Sequence, residues 1–133
     1  MKPVDQTLFG SPGGNCLPAC VASLLNLTIE DVPHFGAEDW FDRLNDWLAP
    51  RGYYAMCFTL PTEWRPPGLY ILAGKSPRFT TLHAVVARGN EVIHDPHPSR
   101  AGVDSHTDAT ILVRMDPVAD GGPQHQRLPA SAT

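Results

Sequence analysis

The spacing of the apolar residues changes near residue 53, and this change limits the possible folds more than any other feature of the sequence. Before it, apolar side chains recur at helical spacing, from Leu17 to Leu25 and again from Trp40 to Leu48. After it, apolar and polar residues tend to alternate, which is typical of strands. Helices followed by strands predict an α+β domain, with N-terminal helices packed on a mainly antiparallel β-sheet.

Turn residues set the ends of the predicted elements. Residues 1–15 form an irregular lead-in. A helix begins at Cys16 or Leu17, because Pro18 is tolerated only in a first helical turn, and it ends within 26–28. The remaining predicted elements are a short turn, a further helix and five strands: Ile29–Val32, Ala37–Leu48, Tyr53–Thr59, Leu69–Ala73, Leu82–Arg88, Glu91–Asp95 and Thr110–Met115.

Size and charge limit the number of domains and the class of partner. With 133 residues and 42% apolar content, the chain is predicted to form one domain over 1–116, followed by a mobile Pro- and Gly-rich tail over 117–133. The net charge of -4 argues against nucleic acid and anionic membranes as partners, since both need a basic surface. No apolar run approaches the ~20 residues of a membrane span, and the start has no leader-like apolar segment. We therefore expect a cytoplasmic protein without a membrane partner, and the oligomeric state stays open.

The three cysteines are predicted to be reduced. An odd number does not make a disulfide framework, and a bond between Cys16 and Cys20 across one helical turn would strain the disulfide geometry. Cys20 lies in the apolar stripe of the first helix and should point into the core. Cys57 alternates with apolar neighbours and is predicted to be a packed, inert thiol. Reduced thiols accord with a reducing compartment.

Cys16 and His83 are the candidate nucleophile and base. Cys16 follows a Gly-Gly-Asn loop and opens the first helix, where the helix dipole and free backbone N–H groups stabilise a thiolate. The alternative is an ordinary buried cysteine, which is what most cysteines are. A thiolate nucleophile needs an imidazole that is far along the chain and close in space. His83 lies among apolar neighbours in its strand and must find polar partners there, although a core histidine bonded to the backbone would also fit.

Asp95 is the candidate for orienting the imidazole, and its reach depends on the register of a hairpin. It ends the strand predicted to pair with the His83 strand. A two-residue loop, Gly89-Asn90, places Asp95 opposite Ala84, on the face away from His83. A three-residue loop places it opposite Val85, diagonal to His83 and within side-chain reach. Catalysis by these residues therefore requires an odd offset, supplied by the longer loop or by a bulge.

An acyl-transfer site also needs hydrogen-bond donors for the oxyanion. The backbone N–H of Cys16 is one candidate, because it lies at the helix start. A side-chain amide from Gln6 or Asn15 is the other. The alternatives are that Gln6 is a solvated N-terminal residue and that Asn15 caps the helix.

Three segments of the sequence carry a resemblance to a known family: Gly14-Asn15-Cys16-Leu17-Pro18-Ala19-Cys20-Val21-Ala22-Ser23-Leu24-Leu25, Leu82-His83-Ala84-Val85-Val86 and Val92-Ile93-His94-Asp95-Pro96. Taken in order, they resemble the papain-like cysteine peptidase superfamily, and most closely the small domains that cleave bacteriocin precursors after double-glycine leaders. The resemblance spans about Gln6 to Met115. It implies a papain-like fold, Cys16 as nucleophile, His83 as base, Asp95 as the orienting group and Gln6 as oxyanion donor, although residues 10–14 separate Gln6 from Cys16 by more than the family pattern. It also implies hydrolysis of a peptide or another amide through an acyl-enzyme, with no cofactor.

Two other functions are weighed beside the hydrolase. A non-catalytic interaction module on the same fold would use exposed aromatic residues, and Trp64 and Phe79 lie in segments that could line a groove beside His83. In a hydrolase the same two residues are candidates for substrate binding, and in the plainer interpretation they pack over the sheet. The weaker alternative is a zinc-binding protein, because polar residues that bind zinc cluster late in the chain. These residues are His94, Asp95, His97 and His106.

Overall fold

The computed structural model describes residues 1–10 and 12–116, in which two α-helices precede five strands. The tail predicted over 117–133 lies outside the described residues. Helices α1 and α2 span Cys16–Leu25 and Trp40–Leu48, and each is followed by a 3₁₀ turn, Ile29–Asp31 and Ala49–Arg51. Strands β1 to β5 span Tyr53–Thr59, Leu69–Lys75, Leu82–Arg88, Glu91–His94 and Asp108–Arg114. The α+β class and the order of helices before strands are as the sequence predicts.

Helix α1 carries the apolar stripe that the sequence predicts. It begins at Cys16 and ends where Asn26 adopts a left-handed conformation, with a φ of 59°. Residues 19–22 are fully buried, and the helix packs on β3 and β2. Cys20 therefore points into the core, and the free thiol at the other end of the turn, Cys16, is only partly buried.

Helix α2 begins at Trp40 rather than at the predicted Ala37. The carbonyl of Asp39 is the first acceptor of the helix, and it takes the N–H of Arg43 at 2.9 Å. The helix is stopped as expected, because a 3₁₀ turn follows it and Gly52 then adopts a φ of 84°, a conformation that favours glycine.

The five strands form one antiparallel sheet in the order β1-β5-β2-β3-β4. Strand β2 extends to Lys75, beyond the predicted end at Ala73, because Lys75 still pairs with Leu82. Strand β4 ends at His94, one residue before the predicted end at Asp95. Strand β5 begins earlier than predicted, since Asp108 already pairs with β1 and β2.

Strands β2 and β3 lie at the centre of the fold and are buried on both faces. On one face they pack under the helices, where Ile71 and Val86 join the main core. On the other face Tyr70 and Val85 belong to a second, smaller cluster. Strand β1 is an edge strand, and the Cys57 thiol on it is exposed, so the prediction of a packed thiol there was wrong. Within the described residues, no helix has the length and apolar content needed to span a bilayer.

Candidate active site

The loop before Cys16 is held in place by hydrogen bonds from several directions. The N–H of Gly14 donates to the carbonyl of Gly10 at 2.7 Å, and a side chain at Gly14 would clash with that same oxygen. The carbonyl of Gly14 lies 3.0 Å from Nε2 of His34, whose Nδ1 accepts the N–H of Gly36. The sulfur at the start of α1 therefore projects from a fixed support.

A bulge, rather than a longer loop, brings Asp95 to the correct side of the sheet. Arg88 pairs with Glu91, so the β3–β4 hairpin has the two-residue loop that would have turned Asp95 away. The register then shifts, because Ala87 pairs with Val92 while Val86 pairs with His94. The extra residue on β4 supplies the odd offset that the sequence analysis requires.

The offset places a carboxylate of Asp95 against the imidazole of His83. Asp95 Oδ1 lies 2.7 Å from His83 Nε2, and the two side chains are only 2% and 5% exposed. The carboxylate also accepts the backbone N–H groups of His97 at 2.9 Å and Gly102 at 2.7 Å. A buried carboxylate with this many donors is fixed in orientation and in its ionised state.

The other side of the imidazole faces Cys16. The two side chains line the same two cavities, and the interaction of the thiol with His83 and with the backbone N–H of Ala84 shifts the pKa of the sulfur. Because Nε2 of His83 is committed to Asp95, Nδ1 is the ring nitrogen left for the thiol. Cys16, His83 and Asp95 thus form a continuous chain from the tip of α1 through β3 to the end of β4.

The pKa values of the three groups are shifted in the directions that favour a thiolate–imidazolium pair. Burial raises the pKa of Cys16, but the hydrogen bonds from His83 and the Ala84 N–H outweigh it, and the net pKa is lowered. Burial lowers the pKa of His83, whereas its hydrogen bonds with Asp95 and Cys16 raise it, to about 9. Burial raises the pKa of Asp95, and the hydrogen bond from His83 with the two backbone N–H groups brings it down to about 2.

Two cavities open beside the Cys16–His83 pair. The first, of about 180 Å³, we call the polar cavity, and its described lining includes Gln6, Arg78, Phe79 and His97. The second, of about 250 Å³, we call the apolar cavity, and its lining includes Leu17, Trp40, Ile71 and Ala73. Cys16 and His83 line both cavities, so the sulfur is reachable from two sides.

Of the two aromatic candidates for substrate binding, only Phe79 lies beside the Cys16–His83 pair. Phe79 lines the polar cavity and is 47% exposed, which places it beside His83 as the sequence analysis expects. Trp64 packs on Phe58, with ring centroids 6.3 Å apart, and it lines neither cavity beside Cys16. The plainer interpretation, packing over the sheet, therefore fits Trp64.

Of the two side-chain candidates for binding the oxyanion, only Gln6 lines a cavity beside Cys16. Gln6 is buried rather than solvated, and it lines the polar cavity together with Cys16. Its N–H donates to the carbonyl of Pro96 at 3.0 Å, its Nε2 donates to Leu8 O at 2.8 Å, and its buried Oε1 has no partner among the described residues. The Gln6 amide is therefore close to the site with part of its hydrogen-bonding capacity unused.

Asn15 occupies the N-cap position of α1 but makes no capping hydrogen bond with its side chain. Its Oδ1 accepts the N–H groups of Thr7 and Leu8, both at 2.9 Å, and its Nδ2 donates to Thr7 Oγ1 at 3.0 Å. Of the two alternatives for Asn15, side-chain capping is therefore not what the structure shows. The carboxamide ties the lead-in to the start of α1 and lines neither cavity, which leaves Gln6 as the side-chain donor candidate.

The zinc-ligand candidates do not converge on one point. His94 Nε2 lies 2.9 Å from the Val4 carbonyl and 3.2 Å from Asp5, and His106 Nδ1 accepts a hydrogen bond from Arg65 at 3.1 Å. His97 Nδ1 accepts the N–H of Ser99. Across residues 1–10 and 12–116, no group of three His, Cys, Asp or Glu side chains is arranged to hold a metal ion.

Sequence reasoning did not assign a role at the site to three residues that lie there. His34 holds the loop before Cys16, the His97 ring meets the His83 ring edge to face at 6.2 Å, and Arg78 lines the polar cavity. Each lies in an irregular segment, where no apolar period indicates which way a side chain points. The only available signal was that His97 follows Asp95 at a distance of two residues.

No protein family, curated protein or solved structure matches this chain. The contacts among the side chains described above therefore carry the functional interpretation.

Proposed function

We propose that the protein is a thiol hydrolase that cleaves an amide bond of a peptide or another amide-containing substrate through an acyl-enzyme. The observation that carries the proposal is the chain of contacts from Cys16 through His83 to Asp95, with the sulfur open to two cavities. A nucleophile, a base and a buried group that orients the base are what acyl transfer requires. No cofactor is needed for this chemistry.

The first half of the reaction forms the acyl-enzyme. The reaction starts from the ion pair in which His83 Nδ1 holds the proton of the Cys16 thiol, and the thiolate attacks the acyl carbon to give a tetrahedral oxyanion. The backbone N–H of Cys16 and the amide of Gln6, which has a second Nε2 hydrogen beyond the one given to Leu8, are the donors for that oxyanion. Collapse breaks the C–N bond, and the imidazolium gives its proton to the departing amine.

The second half releases the acyl group. A water molecule loses a proton to His83 Nδ1 and attacks the thioester carbon. Collapse of the second tetrahedral intermediate breaks the C–S bond and releases a carboxylic acid. The sulfur leaves as the thiolate, and the site returns to its starting state with Asp95 still ionised.

The order of the functional residues accords with the papain-like cysteine peptidase superfamily, including the branch that processes double-glycine leaders. In that interpretation the α+β domain is a papain-like fold, with Cys16 on a helix, His83 on a strand and Asp95 before Pro96. Three free cysteines among the described residues accord with a reducing, cytoplasmic location.

Acylation by p-nitrophenyl acetate tests the proposal. The wild-type protein should release a burst of p-nitrophenolate close to one equivalent, followed by slower turnover. Acid quenching and peptide mapping should then place the acetyl group on Cys16. The thiol of Cys57 is the reference within the same chain, because it is more exposed than Cys16 and also lines the apolar cavity, but no described imidazole is bonded to it.

Two variants complete the test. Cys16→Ala should abolish the burst, whereas His94→Gln should retain it, because His94 contacts neither Cys16 nor His83 in the described structure. Acetylation of Cys57 at a rate equal to Cys16, or turnover that survives Cys16→Ala, would contradict the proposal. A non-catalytic interaction module would give that same negative result.

A further inference from the structure

The polar cavity is lined by an arginine and by no described carboxylate, in a protein of net negative charge. The chain carries a formal charge of -4. The described residues that line the polar cavity nevertheless include the cation Arg78 and no aspartate or glutamate, and the imidazolium of His83 beside it is already paired with Asp95. The apolar cavity on the other side of the sulfur differs, since Asp108 contributes to its lining. A negatively charged group is therefore favoured on one side of Cys16 only.

The backbone that carries Arg78 is held rigid by a buried serine. Ser76 is 2% exposed, and its hydroxyl accepts the N–H groups of Arg78 at 3.1 Å and Phe79 at 3.2 Å. The N–H of Ser76 donates to the carbonyl of Thr81 at 2.9 Å and closes the loop between β2 and β3. Arg78 therefore approaches the cavity from a fixed point next to His83.

The protein itself leaves much of the Arg78 guanidinium unused. Nη1 donates to Ser99 Oγ at 3.0 Å, Nε is buried without an acceptor, and within the described residues no carboxylate forms an ion pair with it. Arg65, which is also half-buried, is different. It donates to His106 at 3.1 Å and to the carbonyls of Pro61 at 2.6 Å and Trp64 at 2.8 Å. An arginine held beside a nucleophile with spare donors matches the recognition of a carboxylate.

We infer that Arg78 binds a carboxylate of the substrate in the polar cavity, so that the substrate is a peptide or peptide-like amide with an acidic residue next to the amide that Cys16 attacks. The inference rests on the proposed function and adds the substrate class to it. The guanidinium fork can give two parallel hydrogen bonds to a carboxylate, and a neutral amide in the same place would accept only one charge-assisted bond. The selectivity is therefore for charge as well as for shape.

Two alkylating probes that differ in one charge test the assignment. Iodoacetyl-glutamate amide and iodoacetyl-glutamine amide each form a thioether with a cysteine thiolate and release iodide. The measured quantity is the ratio of their rates at Cys16, with Cys57 in the same chain as the reference thiol. We expect a glutamate-to-glutamine ratio about tenfold higher at Cys16 than at Cys57, which corresponds to one charge-assisted hydrogen bond. The ratio should fall as salt is added.

Matched arginine variants decide whether Arg78 is responsible. Arg78→Gln should reduce the ratio by about tenfold and leave the rate of the glutamine probe unchanged. Arg78→Lys keeps the charge but not the guanidinium fork, so it should keep only part of the ratio. Arg88→Gln, an exposed arginine at the far end of β3, should leave both rates unchanged. Three results would overturn the inference. The glutamate-to-glutamine ratio at Cys16 could be unchanged in Arg78→Gln, or it could fall by the same factor in Arg88→Gln. The third result is that Arg78→Gln slows both probes equally.

The two proposals can fail separately. If Cys16 reacts rapidly with both probes and shows no preference that depends on Arg78, the carboxylate site is wrong and the thiol hydrolase stands. If Cys16 reacts with neither probe faster than Cys57 does, the proposed function is contradicted and the substrate class with it.

Discussion

Two histidine–aspartate pairs lie within residues 1–10 and 12–116, and only one of them is placed to do chemistry. His83 and Asp95 lie 2.7 Å apart with 5% and 2% of their side chains exposed. His94 and Asp5 lie 3.2 Å apart, and Asp5 is 47% exposed and also pairs with Arg100 at 2.6 Å. The residues are the same types, and the two histidines lie on the adjacent strands β3 and β4, so the difference lies in what surrounds them.

The surroundings assign the pairs to different tasks. The ring of His94 uses Nε2 for the Val4 carbonyl as well as for Asp5, so it ties the N-terminal lead-in to β4. The ring of His83 uses one nitrogen for Asp95 and has a thiol at the other. A histidine–carboxylate contact is therefore not a catalytic signal in itself. It becomes one when the second ring nitrogen meets a nucleophile beside an open cavity.

Replacing each histidine by glutamine should give the largest contrast. His83→Gln removes the group that accepts and returns the proton, and turnover of p-nitrophenyl acetate should fall about 10²–10⁴-fold. His94→Gln keeps a donor for the Val4 carbonyl and should retain turnover within about twofold, since it removes no contact with Cys16. Burst and steady-state rates, measured on protein whose circular dichroism matches the wild type, check both. Equal losses in the two variants would contradict the division of tasks.

Replacing each aspartate should give a smaller contrast, seen in stability. Asp95→Ala leaves His83 and the N–H groups of His97 and Gly102 without their buried acceptor, and we expect a loss of about 3 kcal/mol in the free energy of unfolding. Asp5→Ala breaks exposed ion pairs, which are worth about 1 kcal/mol or less. Urea denaturation measures both values. If Asp5→Ala lowered the free energy of unfolding more than Asp95→Ala does, the account of the two pairs would be contradicted.

Acid unfolding should show the smallest contrast. The pKa of Asp95 in the folded protein is about 2, below the usual 3.8, so the unfolded chain binds the proton more readily between these values. The stabilisation by Asp95 is thus complete above pH 3.8 and is lost as the pH falls through 2. Stability measured from pH 5 downwards should decline less steeply in Asp95→Asn than in the wild type. An unchanged slope would show that Asp95 is not held ionised by His83.

Sequence reasoning predicted the parts of the molecule that local patterns control. The period of the apolar residues predicted α1, β1 and β3, and the Gly-Gly-Asn loop before an apolar helix indicated Cys16 as its first residue. The neighbours of His83 indicated a buried imidazole in need of a partner. These features depend on residues within a few positions of one another, which a single sequence records.

The parts that sequence reasoning missed depend on packing between distant segments. The source of the β4 offset is one example: the sequence left a longer loop and a bulge both open, since nothing in Val92-Ile93-His94 distinguishes a bulge from a regular strand. The side chain of Asn15 is another, because its partners Thr7 and Leu8 are brought to it by the lead-in. The Arg78 side chain is a third, because its Nη1 donates to Ser99, which lies much later in the chain.

The pH dependence of Cys16 alkylation by iodoacetamide tests the central claim most directly. The hydrogen bonds of Cys16 with His83 and the Ala84 N–H lower the pKa of the thiol despite its burial. The alkylation rate at Cys16 is followed by peptide mapping. The midpoint of its pH profile should lie below the midpoint of a free cysteine peptide, which is at pH ~8.5. It should move upward in His83→Gln. A midpoint at or above that of the free peptide, or one that His83→Gln leaves in place, would contradict the account.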